Sequence, residues 1–163
     1  MFLQVDIYGG CGTIGRPSKD LLDLHIDQKY FFYLAFENSL CTDYITEKFF
    51  HYYTRDVVVV VRGGADYDRL LPNDTFIDAS KFSSAADLSK FLQDVAASKE
   101  RYTSYLRNKD RYMVNRWTHY VTPFCNLCGK LHNITANRKT YSDHVSFWKK
   151  DMCRLPSDLN TTR

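Results

Sequence analysis

An uninterrupted valine run, Val57–Val61, constrains this chain more than any other feature. Valine is stiff at χ1 and suits an extended backbone, and a strand that is apolar at every position must be covered on both faces. Arg62-Gly63-Gly64 then closes the run with a turn signal. A parallel sheet with helices on both sides meets that demand, whereas an antiparallel sandwich calls for alternation instead. Neighbouring segments agree. Tyr30–Phe36 is a second strand, apolar throughout; Phe2–Tyr8 is a shorter β-branched one ending in Gly9-Gly10; Thr75–Ala79 is a fourth, with Asp78 near its end. Between them, Thr42–Tyr53 places Ile45, Phe49 and Tyr53 at helical spacing behind a Thr/Asp start, and Asp66–Leu71 makes one turn before Pro72. Ala85, Leu88, Phe91, Leu92 and Val95 follow Ser84 as an amphipathic stripe. Lys99–Arg116 continues as a mostly polar helix, Pro123 with Cys125 and Cys128 marks a loop, and Tyr141–Trp148 predicts a last short helix. The expected fold class is α/β: a Rossmann-like, doubly wound, mostly parallel sheet of four or five strands. Such sheets bind ligands outside the carboxyl ends of their strands, which directs attention to Gly9–Gly15, Glu37–Lys48, Arg62–Tyr67 and Asp78–Lys81.

Composition narrows the function classes. With 163 residues, 44 % hydrophobic and 25 % charged, the chain has the size and make-up of one globular domain rather than a disordered tail or a fibre. A net charge of +3 does not point to nucleic acid. No stretch is long and apolar enough to span a membrane, and Met1-Phe2-Leu3-Gln4-Val5-Asp6 has no basic leader. The cysteines are Cys11, Cys41, Cys125, Cys128 and Cys153, an odd number, so at least one is free or pairs outside this chain. Glycosylation sequons begin at Asn73, Asn133 and Asn160. Together with the cysteines they tilt the reading toward the secretory pathway, with the natural N-terminus expected upstream.

Gly10-Cys11-Gly12-Thr13-Ile14-Gly15 matches G-x-G-x-x-G, and Glu37 stands where a dinucleotide fold places its ribose carboxylate. The mechanics argue against it. The third glycine should lie within the first turns of a helix, but Pro17 follows and would break that helix. Phe36–Phe50 carries more chemistry. Glu37 and Asn38 stand at the mouth of a buried strand, and Thr42 or Asp43 can cap the next helix, whose first turn suits a diphosphate. Glu47 and Lys48 leave a helix about 100° apart. A carboxylate can accept both hydroxyls of a ribose while an ammonium neutralises phosphate charge. The competing account is a solvated pair on a surface helix. Cys125-x-x-Cys128 admits a zinc knuckle completed by His132 with Cys153 or His119, a redox pair, or disulfides. Cys11 and Cys41 lie on neighbouring strand-end loops and can bridge each other.

The string Phe36-Glu37-Asn38-Ser39, followed by Asp43-Tyr44-Ile45-Thr46-Glu47-Lys48-Phe49, closely resembles the donor-binding motif of α-1,3-fucosyltransferases, glycosyltransferase family ten. Val5–Gly9 is similar to the preceding strand of that family. Val57–Gly64 with Asp66-Tyr67, Leu71-Pro72 and Thr75–Asp78 resembles its next block, and Phe124–Cys128, Tyr141–Asp143 and Trp148 resemble its C-terminal end. The valine run lacks the proline common in that strand, and Arg62 is unusual at its end.

That resemblance implies the C-terminal, nucleotide-sugar half of a GT-B architecture. Residues 1–122 would form the GDP-fucose-binding domain, and 123–163 a cysteine-containing loop and helix packed on it. Carried over residue by residue, Asn38, Tyr44, Glu47 and Lys48 contact GDP-fucose, Glu47 at the ribose and Lys48 at the phosphates. The family transfers fucose with inversion to the 3-hydroxyl of N-acetylglucosamine in glycoprotein glycans. No metal site and no obligatory cofactor are implied; a divalent cation is at most stimulatory. The general base is expected in an N-terminal acceptor domain outside this chain, with a stem and membrane anchor, in a single-pass type II protein of the Golgi lumen. Cys125 and Cys128 are then expected to pair with cysteines of that domain. The chain by itself would bind GDP-fucose and transfer it at or near background, and a truncated, non-catalytic GDP-sugar-binding module is the alternative.

Overall fold

The computed structural model describes residues 3–10, 12, 14–15, 17–114 and 118–156. Three parallel strands form the main sheet in the order β1-β3-β4: β1 Phe32–Phe36, β3 Val58–Arg62 and β4 Phe76–Asp78. The valine strand is central, and its alternation feeds two cores. Val59 and Val61 meet Ala35, Phe49, Tyr53, Tyr67 and Phe76 on one face. Val58 and Val60 meet Ile77 and Leu92 on the other, with Leu34, Leu88 and Phe91 packed against them. Helices α2 (Glu47–Tyr53) and α3 (Tyr67–Leu70) cover the first face, and α4 (Ala85–Ala97) and α5 (Lys99–Lys109) the second. Every valine of the run is fully buried, and each contributes about 1.5–3 kcal/mol of hydrophobic stabilisation. Lys109 seals the start of β3. Its buried ammonium donates to the carbonyls of Arg55 and Val57, and burial lowers its proton affinity.

The expected first strand is absent. Residues 3–8 follow an irregular path held by side chains: the Leu3 amide donates to Ser89 Oγ (3.2 Å), and Tyr8, Tyr30 and Asp6 form a hydrogen-bonded chain. Among the described residues no strand pairs with the outer edge of β1, and Val5 and Ile7 of this segment stay exposed. The glycine-rich loop closes on itself, with the Gly9 amide on the Gly15 carbonyl at 3.0 Å. Gly12 packs so closely on the Ile7 carbonyl that a Cβ would overlap it. No helix opens at Gly15. α1 (Lys19–Lys29) starts beyond Pro17, which bears out the argument against a dinucleotide fingerprint. This helix is docked by two acids one turn apart. Asp23 meets His51 of α2 at 3.1 Å, and Asp27 meets Arg55 at 2.6 Å.

The C-terminal part departs furthest from expectation. α6 (Thr118–His132) is helical through Pro123, Cys125 and Cys128, where a loop is predicted. Pro123 lies in the second turn, where its ring removes one backbone bond and crowds the carbonyl four residues back, a cost of about 3 kcal/mol that the helical run on either side of it carries. After α7 (Ile134–Asn137), α8 (His144–Ser146) and a π-helical turn, Phe147–Met152, comes β5 (Cys153–Arg154). It pairs antiparallel with β2 (Leu40–Cys41), and a disulfide joins Cys41 to Cys153. This corrects the expected Cys11–Cys41 bridge: Cys41 is taken by a cysteine that sequence reasoning left unassigned, and Cys11 lies outside the described residues. Cys125 and Cys128 are free and exposed. α5 ends at Lys109, short of the predicted Arg116, which lies outside the described residues.

Candidate functional site

At the carboxyl end of β1 the chain continues its ladder for one more bond, the Glu37 amide donating to the Arg62 carbonyl at 2.8 Å. That bond turns the Glu37 side chain inward, where it is only 1 % exposed. A buried carboxylate must be satisfied. Glu37 accepts the Thr46 amide at 2.8 Å and the Thr46 hydroxyl at 2.8 Å, and the Lys48 ammonium stands 3.4 Å away. The same Thr46 is the N-cap of α2, its oxygen accepting from the Lys48 amide at 3.5 Å. The helix therefore begins at Glu47, not at Thr42 or Asp43. Asp43 takes a left-handed φ of 56° and pairs with Arg69 of α3 instead. Placing the cap at Thr46 puts Glu47 and Lys48 in the first turn, beside the strand end.

Lys48 is the pivot of the cluster. Its ammonium, 32 % exposed at the side chain, has Thr46 Oγ1 at 3.1 Å, Glu47 Oε1 at 3.3 Å and Glu37 Oε2 at 3.4 Å. Desolvation pulls its pKa down, but Glu47 and Glu37 outweigh that and hold it above the ordinary lysine value, so it stays charged. Glu47 is 78 % exposed, and its own backbone amide, with Lys48, holds its carboxyl below the usual range against the opposing pull of desolvation. Asn38 and Tyr44 complete the rim, the tyrosine hydroxyl donating to Asn38 Oδ1 at 3.2 Å. All four residues expected at the donor site are thus strung along one loop and helix start.

Close packing fixes that loop from below. A Cβ at Gly64 would lie 2.4 Å from the Leu40 carbonyl carbon, and one at Gly63 would lie 2.2 Å from the Tyr67 hydroxyl oxygen. The two glycines let the end of β3 press directly on β2 and on the buried Tyr67. Burial, then the charges of Glu37 and Asp78, push the Tyr67 phenol well up, so it remains protonated. From the other side, the Thr42 amide donates to the Met152 carbonyl at 2.7 Å beside the disulfide. Sequence reasoning placed Glu37 at the mouth of the strand but missed its partner Thr46, the cap of α2. Thr46 stands directly before the Glu47–Tyr53 helix with Phe49 and Phe50 behind it, which is the signal that would have found it.

The sequons at Asn73 and Asn133 are exposed, and Asn160 lies outside the described residues. Asn133 caps α7, accepting from the Ala136 amide.

A parallel sheet with helices on both faces and a charged, polar cluster at its carboxyl edge is the class of domain that binds nucleotides and their sugar conjugates. The family signature of glycosyltransferase family 10 (fucosyltransferase), C-terminal part, matches residues 1–148. The chain belongs to that fucosyltransferase family, and its sheet is the Rossmann-like C-terminal half of a GT-B fold. It is 43 % identical over 161 residues to alpha-(1,3)-fucosyltransferase C of Drosophila melanogaster, covering 97 % of this chain and 37 % of that protein. Against glycoprotein 3-alpha-L-fucosyltransferase A of the same fly it is 38 % identical over 156 residues, 91 % of this chain and 30 % of the relative. With the 4-galactosyl-N-acetylglucosaminide 3-alpha-L-fucosyltransferase FUT6 of Homo sapiens it shares 36 % over 132 residues, 79 % and 36 % of the two chains. The chain spans about a third of the length of these relatives.

Proposed function

We propose that this chain is the donor half of an inverting α-1,3-fucosyltransferase, binding GDP-fucose for transfer to the 3-hydroxyl of N-acetylglucosamine in glycoprotein glycans. The observation that carries the reading is the Glu37–Thr46–Lys48 network, which holds one ammonium at the sheet's carboxyl edge beside an exposed carboxylate. Lys48 turns from its carboxylate partners to the diphosphate, neutralising charge as GDP departs. Glu47 accepts the ribose hydroxyls, and Asn38 with Tyr44 lines the remainder. The reaction has no obligatory cofactor and at most a stimulatory divalent cation. Its general base lies outside these residues, in the part of the relatives' length this chain does not span. The protein works in the Golgi lumen as a type II membrane protein, a setting supported by the Cys41–Cys153 disulfide, which is expected of an oxidising compartment.

Calorimetry tests this directly. The chain should bind GDP and GDP-fucose and bind NAD far more weakly; NAD as the tighter ligand would reverse the assignment. Fucose transfer by residues 1–163 should be near background, because loss of a positioned base alone costs roughly 10²–10⁴-fold. GDP binding without any transfer, even after a family acceptor half is joined, would favour a GDP-sugar-binding module.

A further inference from the structure

A groove of about 560 Å³ runs along β4. Clefts for small ligands fall in the range of roughly 300–1,000 Å³. Among the described residues β4 pairs only with β3, so its other edge is open, the kind of edge that proteins cover or blunt. The half-buried rings of Phe82, Phe91 and Tyr105 line the groove together with the Lys81–Asp68 ion pair (2.6 Å). Phe82 and Phe91 stand 5.1 Å apart between centroids. Aromatic faces beside hydrogen-bonding side chains are the chemistry that receives a pyranose ring, apolar on its faces and hydroxylated at its rim. Asn73, the exposed first residue of the Asn73-Asp74-Thr75 sequon, is itself part of the lining. Its turn is held rigidly: Asp74 takes φ 61°, its carbonyl accepts from Asn108, and the Thr75 hydroxyl donates to the Pro72 carbonyl at 2.6 Å.

We infer that Asn73 carries an N-linked glycan whose first N-acetylglucosamine lies back in this groove and covers the open edge of β4. The inference rests on the lumenal setting proposed above. In the covalent step the Asn73 carboxamide nitrogen attacks the anomeric carbon of a polyprenyl-diphosphate oligosaccharide supplied by the secretory pathway. The N–C bond forms, the carbon–oxygen bond to the diphosphate breaks, the lipid diphosphate leaves with the electron pair, and the amide gives up one proton. Thr75 is fully buried in the fold, so the sequon is read on the nascent chain, before β4 docks. Asn133 is the internal contrast: its sequon lies on an exposed arm, and Asn133 is not part of the β4 groove.

The test is the 163-residue chain secreted from animal cells behind a fused signal peptide, with peptide mass spectrometry of Asn73 and Asn133. Asn73 should be occupied. Trimming its glycan to the single innermost sugar should leave stability unchanged, while Asn73→Gln should lower the thermal midpoint by roughly 2–4 °C. Amide exchange across Phe76–Asp78 should become roughly fivefold faster in that variant. Asn133→Gln should change neither. A secreted protein with Asn73 unoccupied would overturn the inference, as would an occupied Asn73 whose removal leaves β4 exchange unchanged. GDP calorimetry on the same sample reads the donor assignment separately, so a failure there is distinguishable from a failure here.

Discussion

The loop from Glu37 to Lys48 and the arm from Thr118 to Ser146, which runs on into β5 and so reaches the loop through one strand pair and one disulfide, are held in opposite ways. The loop is fixed from within. A buried carboxylate takes hydrogen bonds from a threonine amide and hydroxyl and faces a lysine ammonium, and two glycines press the next strand against it. The arm shows the reverse. Val121, Phe124, Leu127, Leu131 and Ile134 are all exposed, although their spacing is that of a helix built to bury one face. The contrast teaches where positional accuracy resides. Polar groups that must be satisfied once buried define the loop, whereas the arm has helical periodicity with no packing surface among the described residues.

Several substitutions break or sharpen that contrast. Cys153→Ser releases the disulfide that ties β5, just beyond the arm, to the loop across a separation of 112 residues, and should cost about 2–4 kcal/mol in urea denaturation. Glu37→Ala should follow at roughly 2–3 kcal/mol, below the usual cost of splitting a buried pair because its partner Lys48 is partly solvated. Thr46→Ala removes the cap of α2 and should cost about 1 kcal/mol. Phe124→Ser and Leu131→Ser, on the exposed arm, should change stability by less than about 0.5 kcal/mol in the same measurement. A large loss there would show that the arm is packed after all. Least affected is the acid limb of the stability curve. The folded pKa of Glu47 is lowered, so its contribution is complete above its ordinary value and disappears as pH falls through the depressed one. Glu47→Gln should flatten only that limb, and slightly.

Most of the fold was legible because its strongest signals were unambiguous. Val57–Val61 demanded burial on both faces and became the central strand, and the Ala85–Val95 stripe became α4. Residues 3–8 read as a strand from their apolar, β-branched composition, yet Val5 and Ile7 are exposed and side-chain hydrogen bonds hold the segment in place of a ladder. Lys19–Lys29 went unread because its polar residues obscure the period, its docking resting on Asp23 and Asp27 as much as on buried Ile26. Pro123 outweighed the helical spacing around it in the reading, though not in the fold. At the site, the motif residues were found by their string, Glu37 and Thr46 among them, but the roles of those two as hub and cap were not. Their roles arise from a contact made across the turn, which spacing alone does not express. Cys153 was unassigned for the same reason: its partner is a strand neighbour, 112 residues away.

The central claim is that the Glu37–Thr46–Lys48 network holds a cation for the diphosphate of a nucleotide sugar, and the salt dependence of GDP affinity for wild type and Lys48→Ala tests it most directly. A charge-assisted contact of about 1.5–3 kcal/mol corresponds to a loss of roughly 10- to 150-fold on substitution. Calorimetry at rising salt should show wild-type affinity falling steeply, and the variant binding more weakly with a flatter dependence. Equal affinity and equal salt response in the two proteins would contradict the account and leave Glu47 and Lys48 as a solvated surface pair.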